Sequence, residues 1–70
     1  MTSTTISSVF ATPHSKNAWA YPASESGWRK IEGRSTDGVA NTFLLLALAR
    51  ATSTNANIEV ESDEITEVYL

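Results

Sequence analysis

"RSTDGVANTFLLLALARATSTN", residues 34–55, is the stretch whose reading decides the fold. Ser35 or Thr36 can cap the first amides of a helix, Asp37 suits its positive end, and Arg50 lies where a cation stabilises the last carbonyls. The spacing predicts a helix over about 36–51, with Gly38 tolerated in the first turn. At about 100° per residue, Val39, Phe43, Leu46 and Ala47 share one side, while Leu44, Leu45 and Leu48 fall on the other. A helix lying on a single small domain needs only one apolar stripe. The second set of leucines would therefore face water in an isolated chain and is the candidate oligomer interface.

Segments on either side of this helix read as strands. Upstream, "TTISSVFAT" (residues 4–12) is rich in β-branched residues and is stopped by Pro13. After the polar turn "PHSKN", the run "AWAYP" alternates small and aromatic residues, which places Trp19 and Tyr21 on one face of a second strand. "SESG" breaks the chain again before a short third strand in "WRKIEG". Downstream, "ANIEVES" alternates with Ala56, Ile58 and Val60 inward and Asn57, Glu59 and Glu61 outward. A tight acidic turn at Ser62–Glu64 then leads into "ITEVYL", the fifth strand, antiparallel to the fourth. The whole chain, 1–70, is expected to be one mainly β domain with a single helix. Its order, β-β-β-α-β-β, is that of a five-stranded OB-type barrel, and an Sm-like or SH3-like barrel is the alternative.

Composition narrows the functional classes. With 70 residues, no cysteine and one histidine, the chain has neither disulfides nor a metal cluster to reinforce a small core, which leaves assembly with other copies. The net charge of −3 disfavours polyphosphate and anionic membrane surfaces in general. No run reaches the roughly 20 apolar residues a membrane span requires. The opening "MTSTTISSVF" lacks the basic start and apolar run of a secretory signal, so a cytoplasmic location is expected.

Candidate ligand-binding residues lie in the middle of the chain. Trp19, Tyr21 and Trp28 fall on adjacent strands, and Arg29, Lys30 and Arg34 are three of the five basic residues. Rings for stacking and cations for phosphates are the minimum needed to hold single-stranded nucleic acid. Alternatively, the rings fill the core or a subunit contact and the cations balance carboxylates such as Glu32. The acids Glu59, Glu61, Asp63, Glu64 and Glu67 crowd into residues 59–67 and read as a solvated, charged edge, or as a rim facing a neighbour's basic patch. His14 beside Pro13 reads as an exposed turn residue. No nucleophile elbow or Gly-rich phosphate loop is present, so no enzyme and no cofactor are expected.

The run "GVANTFLLLALARATSTNANIEVESDEITEVYL" resembles the second half of the small OB-fold ring subunits typified by the B subunits of cholera-like toxins: a long helix, a polar break, an alternating strand, a tight turn and a final strand. The resemblance implies a cyclic homo-oligomer, a pentamer, and raises glycan binding as a further alternative. The cysteine pair of those subunits is missing here, and none of their ligand residues maps onto a position in this chain.

Overall fold

The computed structural model describes residues 1–13 and 16–70, so the turn position expected for His14 lies outside the described residues. Seven elements follow in order: β1 (Thr2–Thr4), β2 (Ile6–Ala11), β3 (Ala18–Pro22), β4 (Arg29–Ile31), α1 (Thr36–Thr52), β5 (Ala56–Glu61) and β6 (Glu64–Tyr69). They build one six-stranded sheet in the order β1-β5-β6-β4-β3-β2, curled into a half-barrel. Neighbouring strands are antiparallel except β4 and β6, which run parallel with Ile31 opposite Ile65. A parallel pair requires a crossover, and α1 lies within it.

The expected count of five strands is corrected to six because the first strand divides at Thr5. β1 pairs with β5 at one edge of the sheet and β2 with β3 at the other, so a single residue joins the two edges. Thr4, only 5% exposed, holds this corner: its hydroxyl donates to the Thr5 carbonyl (2.9 Å) and accepts from the Ser24 amide (3.0 Å). The Thr5 carbonyl also accepts from the Ala23 amide at 2.9 Å. A buried hydroxyl with both roles filled avoids the cost of an unpaired polar group.

The helix begins at Ser35, whose Oγ accepts from the Gly38 amide at 2.9 Å. A Cβ at position 38 would stand 2.9 Å from that same oxygen, so glycine there makes room for the cap. At the other end, Ser53 adopts the left-handed conformation (φ 55°), and the Ser53 and Thr54 amides reach back to the carbonyls of Arg50 and Ala49. That is a Schellman closure with serine in the position glycine prefers. Val39, Leu46 and Ala49 are the buried residues of α1, with Phe43 packed against them. Ala47, expected beside them, is only half-buried, and Ala49 takes the inward place.

These side chains meet Ile6, Ala18, Ala20, Ile31, Ala56, Ile58 and Ile65 from the sheet. The alanines on β3 and α1 are small enough to bring helix and sheet together. The β5–β6 hairpin closes through Ser62 and Asp63, both at positive φ (51° and 65°), a two-residue turn whose twist matches that of its strands.

Candidate aromatic face and leucine ridge

Two exposed apolar surfaces lie on opposite sides of the β2–β3–β4 layer. On the helix side, Leu44, Leu45 and Leu48 are 65%, 38% and 50% exposed, facing outward as the helical spacing requires. Between Asp37 and Arg50 the helix carries no charge, so this ridge has no ionic border along its length.

The aromatic residues occupy the outer face of the sheet, which overturns the reading that they fill the core. Ala18, Ala20 and Pro22 take the inward positions of β3, leaving Trp19 and Tyr21 outward. Trp28 lies edge-on to Tyr21 (ring centroids 5.6 Å apart) and to Phe10 (5.0 Å), while Phe10 and Trp19 are parallel at 6.0 Å. Phe10 and Trp28 are the most open of the four, at 41% and 40%. A hydrogen-bond chain fixes the Trp19 ring: its Nε1 donates to Asn17 Oδ1 (3.0 Å), and Asn17 Nδ2 donates to Thr12 Oγ1 (2.7 Å).

Phe10 was not among the candidate residues, and a bulge brings it to this face. Strict alternation from buried Ile6 would turn Ser8 and Phe10 inward. A register shift between Ile6 and Ser8 reverses the parity, so that Val9 packs against the core and Phe10 sits opposite Trp19 on the outside.

The cations expected to accompany the rings are largely engaged. Arg29 Nε pairs with Glu25 Oε1 at 3.2 Å, and Arg34 Nε with Glu32 Oε1 at 3.4 Å, beyond the strands that carry the rings. Lys30, opposite Trp19 in the register, holds its ammonium 6.0 Å from the indole centroid and donates to the Lys16 carbonyl.

The outer face of β5 and β6 has the opposite character. Glu59 stands directly across from Glu67, and Glu61 from Glu64, so two like-charge pairs share one surface. Tyr69 donates its hydroxyl to Glu67 Oε1 at 2.7 Å. That hydrogen bond, and secondarily the carboxylate's charge, hold the Tyr69 phenol above its ordinary pKa of 10.0. Among the described residues no cluster of histidine, aspartate and glutamate is arranged to hold a metal ion. Nor is any described helix long and apolar enough to cross a membrane.

A shallow hollow of about 250 Å³ lies between α1 and the ends of β2 and β3, lined by Ala11, Ala18, Val39, Ala40 and Phe43 with Lys16 beside them. It is smaller than the pockets that take drug-sized ligands, and it does not include the aromatic face. Comparison with known protein families, curated proteins and solved structures finds no match to this chain.

Proposed function

We propose that this chain is a non-enzymatic binding or scaffold module that self-associates into a closed ring through its helix. One observation carries the reading: Leu44, Leu45 and Leu48 stand exposed together on a helix whose opposite side already fills the core. A fully buried leucine side chain contributes roughly 1.5–3 kcal/mol, so covering the exposed fractions of these three is worth about 2–5 kcal/mol per contact. Association costs about 4–15 kcal/mol, so the ridge drives assembly only together with a second apolar surface. Closure of the sheet into an OB-type barrel belongs to the same proposal and is supported by the two sheet edges being joined through Thr5 alone. Five subunits is the number the toxin-subunit resemblance suggests.

Sedimentation velocity across protein concentrations tests this reading. The wild-type chain is expected to sediment as a defined oligomer, and Leu44→Glu/Leu48→Glu as a folded monomer. A wild type that stays monomeric at high micromolar concentration refutes it.

The outward aromatic face supports a second reading, in which Trp19, Tyr21 and Trp28 stack on a base or sugar ring. The engagement of Arg29 and Arg34 by glutamates and of Lys30 by the Lys16 carbonyl weakens its nucleic-acid form. Titration with a labelled single strand at low and raised salt tests that form, and tryptophan fluorescence against a sugar panel tests the glycan form.

A further inference from the structure

We infer that the leucine ridge of one copy seats on the aromatic sheet face, around Phe10 and Trp28, of the next copy. This rests on the self-association proposed above and names the surface that receives the helix. A ring of more than two subunits requires head-to-tail contacts, in which two different patches of the same chain meet. The ridge and the aromatic face meet that requirement because they lie on opposite sides of one sheet layer.

Energy and charge together select this partner surface. The ridge alone falls short of the cost of association, so its counterpart must itself be apolar. The outer face of β5 and β6 is excluded, because seating uncharged leucines there would strip water from Glu59, Glu61, Glu64 and Glu67 without replacing it. Tyr69, another large exposed apolar residue, lies on that same acidic face and is bonded to Glu67. Phe10 and Trp28 instead touch each other at the centre of an aromatic cluster, and large, ordered aromatic surfaces are what binding anchors are made of. The Asn17 bond already fixes Trp19, which lies parallel to Phe10, so little side-chain freedom is lost there on contact. The cations beside it, Arg29 and Lys30, are held by Glu25 and by the Lys16 carbonyl and demand no carboxylate from the incoming helix.

Complementation of two blocked variants tests the inference in the full chain. Leu44→Glu/Leu48→Glu removes the ridge and keeps the aromatic face; Phe10→Thr/Trp28→Ser does the reverse. Each alone is expected to be monomeric, and an equimolar mixture to form a one-to-one dimer of doubled mass that grows no further, since each partner has one working surface. If the double aromatic variant fails to fold by circular dichroism, Phe10→Thr alone, a strand-forming residue at an outward position, takes its place.

Assembly of the aromatic variant like wild type overturns the inference and leaves self-association standing, because the ridge then pairs elsewhere. A mixture that stays monomeric while the wild type assembles also overturns it. So does an assembled wild type that binds a labelled single strand through Trp28, since the face would then be open to ligand. A monomeric wild type instead refutes the reading on which the inference rests.

Discussion

Leu46 and Leu48 are two residues apart on one helix, and the same truncation at each should have very different consequences. Leu46 is 0% exposed and Leu48 is 50% exposed. Leu46→Ala removes a fully packed side chain and leaves a cavity between helix and sheet, which costs about 3–5 kcal/mol by analogy with buried leucines elsewhere. A domain of this length has a total stability of roughly 4–10 kcal/mol, so this single change consumes a large share of it. Leu48→Ala removes a side chain that buries only half its surface within its own chain, a loss of about 1 kcal/mol. Urea denaturation at low micromolar protein measures both, and the two midpoints should separate widely with similar slopes. Repeating the titration at a hundredfold higher concentration adds the assembly term. The wild-type midpoint should rise with concentration, and that of Leu48→Ala should rise less. Equal losses at the two positions would mean that the helix is rotated about its axis from the arrangement described, and both the core and the ridge would be assigned wrongly.

Three further outcomes are expected. Thr4→Val keeps the shape but leaves the Ser24 amide without its acceptor, and should cost about 1–3 kcal/mol by thermal unfolding; no change would show that the Thr5 corner does not depend on that bond. Asp63→Gly relieves a left-handed non-glycine residue and removes a charge beside the acidic face, and should raise the melting temperature by about 4–8 °C for each kcal/mol gained, with Asp63→Asn separating charge from backbone. Glu67→Gln should return the Tyr69 phenol toward its ordinary range, read from tyrosinate absorbance. The Tyr69 pKa is raised in the folded state, so the contribution of its hydrogen bond is fully present below the unfolded-state pKa and is lost as pH climbs through the folded value in the alkaline range.

Much of the fold was legible because the local signals agreed. The cap at Ser35, the cation at Arg50, the alternation from Ala56 to Glu61, the polar turn expected at Ser62–Glu64, and the small–aromatic alternation of β3 each depend on near neighbours in sequence. The split of the first strand was not legible, because Thr5 is itself a good strand residue. The break arises only when the chain must exchange β5 for β3 as its partner, a demand of topology. The outward leucines followed from helical geometry alone. Whether the aromatics are core or surface stayed open because Trp19 and Tyr21 share a face whichever way that face points. What decides it is the bulk opposite: with α1 lying close, Ala18, Ala20 and Pro22 fit inside and the large rings do not.

The Ile6–Ser8 bulge therefore matters beyond the strand that holds it. Without it, Phe10 would compete with α1 for the interior and Val9 would face water. The outer sheet would then present Trp19, Tyr21 and Trp28 with Val9 in place of a ring opposite Trp19. The bulge both fits the helix and completes the aromatic face, so packing of the core and chemistry of the surface are set by a single insertion in the ladder. A second register shift, between Glu59 and Val60, acts on the other half of the sheet. It brings Ile65 opposite Val60 on the inside and leaves Glu59 facing Glu67 on the outside. Like charges directly opposite are destabilising, so this hairpin gives up local stability to keep its outer face charged. A face of that kind repels an apolar helix and another copy of itself. The two irregularities thus divide one continuous sheet into a half with an aromatic outer face and a half with an acidic one.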